Sequence, residues 1–379
     1  MIAKIIDLRH ELHKHPEVSN NEYKTSERIV NFMKPLMPDE IINLGKTGKA
    51  FVFKGKEPGR TIVFRAELDA LPILEKNSLA YLSINPNVSH MCGHDGHMAI
   101  LAGLAQKISK ESPQYGKIVF LFQPAEEVEQ GALDVVNDAA FKNIKPDYIF
   151  ALHNIPGVKK HNIVVKDGSF SAASKGMTIK LFGKTAHAAE PENGISPADS
   201  ISQIIAQLHK LKDNKNLFKD LILITIIHIQ MGEISFGTSP GYAEISVTLR
   251  SFENEDMDVL TAHSEKIIKE ISKAENLECK ISYSEEFPAS VNNQECVRYV
   301  EQAAKQNNYT LEYIEKPFKW SEDFGYFAQE YKTALFGLGS GVSQPPLHNP
   351  DYDFPDEIIE SGINMFYSIY KKINLQNDR

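Results

Sequence analysis

Cysteine is scarce in this chain: three thiols in 379 residues, at 92, 279 and 296, too few and too far apart for a disulfide framework. A reducing compartment, the cytoplasm, is the expectation, with Cys279 and Cys296 passive. Long apolar runs are missing too, and none approaches the roughly 20 residues that a membrane-spanning helix needs. The N-terminal MIAKIIDLRHELHKHPE meets charge at Asp7 and Arg9 before any such run forms, so it reads as an amphipathic helix and not a secretory signal. Positive charge is in deficit, with 41 Lys and Arg against 50 Asp and Glu, a net charge of −9. With no basic run either, composition argues against a nucleic-acid partner. No internal repeat or low-complexity segment is visible.

What is present is an ordinary 42% of hydrophobic residues, enough for a sizeable core, in a length that suits two or three domains. In the first half, apolar runs at 50–53, 61–64, 118–122 and 148–152 alternate with helical spacing, clearest at 98–108. Runs apolar throughout predict strands covered on both faces, hence α/β organisation. From about Gly176 the style changes. A half-exposed strand at 177–182 leads to a helix at 196–211, strands at 221–229 and 242–249, a helix at 257–274 and a strand at 279–283. That β-α-β-β-α-β order predicts a ferredoxin-like α+β sandwich. The α/β style then returns, with helices at 295–306 and 356–373 and a strand at 334–336. The expected organisation is a discontinuous catalytic domain, 1–174 and 288–379, with a smaller domain, 175–287, inserted.

The most informative stretch is SHMCGHDGHM, residues 89–98. Cys92 and His94 flank a glycine, so a bent loop can aim a thiolate and an imidazole at one point, good ligands for zinc, manganese or cobalt. Taken alone, the pair reads equally well as a core cysteine beside a capping histidine. Glu126 and Glu127 follow the apolar run 118–122, where open α/β sheets place their ligands. Adjacent carboxylates can divide labour between binding a cation and moving protons, although a bare Glu-Glu pair is more often a solvated loop. His153 closes the run 148–152, and His348 sits in a proline-stiffened loop, QPPLHNPDYDF. Together Cys92, His94, Glu127, His153 and His348 make a five-ligand set spread over loops. Asp69 is placed to orient a ligand from behind. Arg250, at the end of the strand 242–249, is either a surface ion-pair partner or a bidentate grip for a carboxylate.

The motifs RAELDALP, CGHDGHM, FQPAEE, ALHNIPG, TAHAAEPENGISP, SEDF and LHNPDYDF occur in this order. The chain therefore resembles the aminoacylase and carboxypeptidase metallopeptidases, in the amidohydrolase branch that holds hippurate hydrolase, N-acetyl-diaminopimelate deacetylase and the auxin-conjugate hydrolases. The likeness runs from DLRHELHKHPE to the last helix. It implies a mixed-sheet α/β/α zinc-peptidase-like catalytic domain with an inserted lid and dimerisation domain. It also implies two divalent ions, manganese or zinc, with cobalt or nickel as further options, held by Cys92, His94, Glu127, His153 and His348. By the same likeness Glu126 is the general base, His187 steadies the oxyanion, and Arg250 contacts the substrate carboxylate. The inserted domain would pair two subunits, an idea the residues themselves support only through the very apolar segment 221–229. Two positions depart from the pattern: Glu67 stands where the family usually has Asp, leaving its role open, and Ser196 where it usually has Asn.

The reading that follows is a metal-dependent deacylase of N-acyl-amino acids. The alternatives are an N-acetyl-diaminopimelate deacetylase of lysine biosynthesis and a small-peptide carboxypeptidase. Two rivals of other classes are a cysteine hydrolase with Cys92 as nucleophile and a non-catalytic binding protein on the same fold.

Overall fold

The apolar runs of the first half become neighbouring strands. In the computed structural model, which describes residues 2–111, 113–214 and 216–375, Ile62, Val63 and Phe64 pair in parallel with Ile118, Val119 and Phe120 on one side. On the other side they pair, again in parallel, with Tyr148, Ile149 and Phe150. Alternate residues point to opposite faces of a strand, and Val63, Phe64, Val119 and Phe120 are all fully buried, so both faces of the sheet are covered. One core joins Phe64, Phe120 and Phe150 to Ile5 and Leu12 of the helix Ile2–Lys14, Leu101 of His94–Ile108 and Phe366 of Ile359–Leu375.

The sheet has eight strands, ordered Glu40–Leu44, Gly48–Lys54, Tyr115–Gln123, Glu57–Glu67, Tyr148–Pro156, Lys332–Gly341, Ile163–Val165 and Leu311–Tyr313. The middle four run parallel, while antiparallel pairs occur toward each edge, so the sheet is mixed. This is an α/β fold. In a parallel sheet the C-terminal ends of the strands open onto a crevice, and the sequences leaving those ends here are Leu68–Asp69, Pro124–Glu127 and the turn after Pro156.

The chain divides into two units. The first comprises Met1–Phe170, Ser290–Pro317 and Glu322–Arg379, the second Ser171–Ala289 and Phe318–Ser321. The second unit therefore starts at 171 rather than 175 and ends at 289 rather than 287. It also takes in 318–321, which the sequence reading left with the other unit. Its four antiparallel strands are ordered Ile222–Met231, Tyr242–Ser251, Ala173–Phe182 and Glu278–Phe287, with the helices Ala198–Asp213 and Asn254–Ala274 in the β-α-β-β-α-β chain order.

Several expected bounds move. The helix expected from residue 98 begins at His94. Its first turn is polar, and Gly93 supplies the left-handed bend (φ 90°) that lets it start there. The strand expected at 334–336 runs over Lys332–Gly341, because its glycine-rich second half is still paired in the sheet centre. His153 thus lies inside its strand, Tyr148–Pro156, and not at the end, while Arg250 is the penultimate residue of Tyr242–Ser251.

Candidate active site

The expectation that all the candidate ligands sit on loops needs correcting. His94 opens a helix and His153 is paired within a central strand; Cys92, Glu127 and His348 lie on connecting segments. The ligand-capable atoms of Cys92, His94 and His153 lie within 4.8 Å of one another, and so do those of Cys92, Glu127 and His348. Two of the histidines are held alike. His94 Nδ1 lies 2.9 Å from the Asp69 carbonyl oxygen, and His153 Nδ1 2.9 Å from that of Asn154. A ring nitrogen that donates to a carbonyl carries the proton of the neutral ring, which leaves Nε2 as the atom free to meet a cation. At His94 burial opposes a second proton, but Cys92 and Asp69 outweigh it and hold that ring's proton affinity well above the usual range. His153 Nε2 is 3.5 Å from the Cys92 sulfur. His94 Nε2 is buried without a hydrogen-bond partner among the described residues.

The carboxylates face those nitrogens. Glu126 and Glu127 come within 3.8 and 3.9 Å of His94 Nε2, and His348 Nε2 is 3.7 Å from Glu127. The Glu127 Oε1 atom is likewise buried and without a hydrogen-bond partner among the described residues. Asp69 accepts from the Ser19 hydroxyl at 2.7 Å and from the Glu127 backbone N–H at 2.9 Å, so it fixes the turn that carries Glu127. Burial, then the neighbouring acids Glu322 and Glu127, hold the Glu126 carboxyl well above the usual carboxylate range. Burial pushes Glu127 up to about 8, and it drives His153 down to about 3, a neutral ring. Burial and then the Glu127 charge push the Cys92 thiol up. Those are the marks of acids and bases crowded together in a dry pocket, where burial and like charge outweigh the His94 ring beside the acids.

A layer behind these groups escaped the sequence reading. His97 has both ring nitrogens engaged, Nδ1 with Glu67 at 2.7 Å and Nε2 with the Asn154 side-chain oxygen at 2.5 Å. Glu67 is also paired with Arg65, whose remaining nitrogens reach Gln123 at 2.8 Å, Asp323 at 2.7 Å and Glu322 at 2.8 Å. So Glu67, whose role the sequence left open, joins Arg65 to His97. Burial opposes its charge, but Arg65 and His97 outweigh that and hold its carboxyl well below the usual range. A one-glycine turn serves this layer: a Cβ on Gly93 would sit 2.7 Å from the Asn154 side-chain oxygen. Its members fall inside the motifs RAELDALP, CGHDGHM, FQPAEE, ALHNIPG and SEDF, but nothing in the sequence says that they meet, since they are spread from residue 65 to 323.

His187 and Arg250 belong to the second unit. His187 sits in a two-residue strand, Ala186–His187, paired with Thr238–Ser239, and is exposed. Its Nδ1 accepts the Ala189 backbone N–H at 3.0 Å, which leaves the neutral ring's proton on Nε2. Arg250 donates to the Lys319 carbonyl at 2.9 Å and the Ser321 hydroxyl at 2.8 Å.

Residues 63–372 match the family described as Peptidase family M20/M25/M40. A hippurate hydrolase from Campylobacter jejuni is 30% identical over 99% of this chain and 99% of its own. The structure of a Bacillus subtilis YXEP protein, described as a dinuclear metal binding peptidase, superposes with a TM-score of 0.86 at 26% identity, covering 99% of this chain and 98% of that one. A putative aminohydrolase from methicillin-resistant Staphylococcus aureus gives a TM-score of 0.91 at 26% identity over 98% and 96%. With paired acids and histidines gathered at the open end of a mixed sheet, and relatives matched end to end, this chain belongs to the M20/M25/M40 peptidase family, in its amidohydrolase branch, and is a hydrolase acting on amides.

Proposed function

We propose that the chain is a two-metal deacylase that splits N-acyl-amino acids into a carboxylate and a free amino acid. The observation that carries this reading is the orphaned pair at the cluster's centre, His94 Nε2 and Glu127 Oε1, 3.9 Å apart, buried and unpartnered among the described residues. Leaving two such groups unsatisfied is costly, and a cation between them removes the cost. Cys92, His153 and His348 complete a mixed sulfur, nitrogen and oxygen donor set that suits zinc, manganese, cobalt or nickel. His97 is left out because both its nitrogens are occupied. When bound, divalent ions would acidify a water and polarise the scissile carbonyl.

The chain's own residues then divide the work. Glu126 accepts a proton from the attacking water and returns it to the amine nitrogen as the C–N bond breaks. Its raised proton affinity suits a group that must hold that proton between the two steps. Asp69, through Ser19 and the Glu127 N–H, keeps Glu127 in place. The second unit acts as a lid, with His187 donating from Nε2 to the oxyanion and Arg250 gripping the substrate's free carboxylate. Two subunits pair through that unit, a reading supported by Ile227, Ile229 and Met231 on an edge strand and by Ile234 and Phe236 beside it, all exposed. The cysteine-hydrolase alternative is disfavoured because burial and Glu127 raise the Cys92 thiol, the opposite of what a nucleophilic thiolate needs.

The substrate class is tested by a panel of N-acetyl, N-benzoyl and N-indoleacetyl amino acids, with N-acetyl-diaminopimelate included, each run with manganese, zinc, cobalt and nickel. Free acids should be turned over in preference to the matching α-amides, and Arg250→Ala should erase most of that preference. A charged contact is worth about 1.5–3 kcal/mol, or roughly ten- to a hundredfold in kcat/KM. Equal turnover of acid and amide by the wild type would remove the carboxylate clamp. Hydrolysis confined to N-acetyl-diaminopimelate would assign the chain to lysine biosynthesis.

A further inference from the structure

Arg9 is fully buried on the N-terminal helix, yet it carries a charge and reaches three acids. Its Nε donates to Asp95 at 2.9 Å, and Nη1 to the Phe354 carbonyl at 2.9 Å and to Asp356 at 2.8 Å, while Nη2 pairs with Asp353. Asp95 follows His94 in the first turn of its helix and also takes His13 Nδ1 at 2.9 Å. The other three contacts fall at the end of the loop that carries His348, on Asp353 and Phe354, and on Asp356 in the 3-10 turn that follows it. One guanidinium therefore joins the helix that begins at His94 to the far end of the His348 segment.

That connection matters most for His348. His94 is buried and its ring is tied to Asp69, whereas the His348 side chain is 51% exposed and its backbone is left-handed, with φ 65°. Near His348 the loop is held by its backbone N–H on the Met91 carbonyl at 2.9 Å, by the Lys76 N–H on the Pro350 carbonyl at 2.7 Å and by Asn154 Nδ2 donating to the Tyr352 hydroxyl at 2.6 Å. Its far end is held by Asn77 on the Tyr352 carbonyl, Tyr81 on Asp353 and the Arg9 contacts, of which Arg9 alone brings a charge. The loop also presses onto the helix: a Cβ on Gly96 would fall 2.3 Å from the Phe354 ring. A planar five-donor fork can satisfy acids and a carbonyl in several directions at once; a lysine ammonium cannot reproduce that geometry.

We propose that Arg9 is a positioning residue for the metal site, holding the His348 loop so that this one exposed ligand meets the Cys92 and Glu127 side. The inference rests on the two-metal reading above. Its test is titration of chelator-treated protein with Mn²⁺ alone, reading bound ions by competition with a chelating dye, for wild type, Arg9→Lys, His348→Ala and the double variant. Arg9→Lys should weaken one of the two ions about 10- to 100-fold, as loss of an outer-layer partner does, and leave the other unchanged. In the His348→Ala background the same change should add less than about twofold, because the ligand it serves is gone. Equal weakening in both backgrounds, or no weakening at all, would overturn the proposal. Should Arg9→Lys fail to fold, Asp356→Asn, which loosens the loop and leaves the Arg9–Asp95 pair intact, carries the same expectation at smaller size. A wild type that binds no Mn²⁺ would instead sink the metal reading itself, an outcome visible before any variant is compared.

Discussion

Glu126→Gln should leave the metal content unchanged while kcat falls by about 10²-fold or more, the usual worth of a general base. The substitution keeps volume and shape at a buried position and removes only the ability to take a proton. The surroundings favour this outcome. Glu126 lies among Glu127, Glu322 and Asp323, so replacing one of four crowded carboxyls by a neutral amide relieves repulsion and should not harm folding. Glu127→Gln should behave differently. Its Oε1 faces His94 and its Oε2 faces His348, so neutralising it removes the anionic partner of both rings, and bound metal should drop. Metal analysis alongside single-turnover hydrolysis separates the two. Should Glu126→Gln lose metal and Glu127→Gln keep it, the base and the ligand must be exchanged.

His187→Ala should cost about 10²–10³ in kcat with little change in metal content, the scale on which one oxyanion donor counts. The exposed ring is already in the tautomer this role needs, because Ala189 occupies Nδ1 and the proton sits on Nε2. If the second unit pairs two subunits and each His187 serves the partner's site, two inactive variants should complement each other. Mixing His187→Ala with Glu126→Gln gives mixed dimers in which one site has an intact Glu126 and receives an intact His187 from the other subunit. Activity should reappear after subunit exchange. Exchange demonstrated by tagged subunits, with no recovery of activity, would put His187 in its own subunit's site or outside catalysis.

The parts of the fold legible in the sequence were those where burial and periodicity agree. Runs such as Ile118–Val119–Phe120 are apolar on both faces because both faces are covered. Legibility failed where a strand or helix is polar or glycine-rich for a local reason. Gly337 and Gly339 belong to a central strand because Val164 and the Lys159 backbone leave no room for a Cβ, yet glycine reads as a break. The helix start at His94 was hidden because its first turn, HDGH, holds buried polar groups satisfied by residues far away, Arg9 and His13 at Asp95 and Glu67 at His97. The short strands Glu40–Leu44, Ile163–Val165 and Leu311–Tyr313 gave too few residues for a period to show.

The site divides along the same line. Cys92, His94, Glu126, Glu127, His153 and His348 stand out in short motifs, and the structure gathers them in overlapping clusters. The pairing of their supports did not stand out. Arg65, Gln123, Glu322 and Asp323 form one buried network across 258 residues of sequence, and the Arg9 contacts span 347. A buried charge is tolerable only with partners close by, but nothing in one dimension tells which distant acid a given arginine will meet.

The most direct test of the central claim is to follow N-benzoylglycine hydrolysis and bound ions together while chelator-treated protein is titrated with Mn²⁺ or Zn²⁺. The account predicts no turnover without ions and turnover that rises with occupancy toward about two ions per chain. In Cys92→Ser, where a neutral hydroxyl replaces a thiolate, the ions should bind more weakly and activity should fall with them. Full hydrolysis by protein freed of metal, abolished by alkylating Cys92, would contradict the account and make Cys92 the nucleophile.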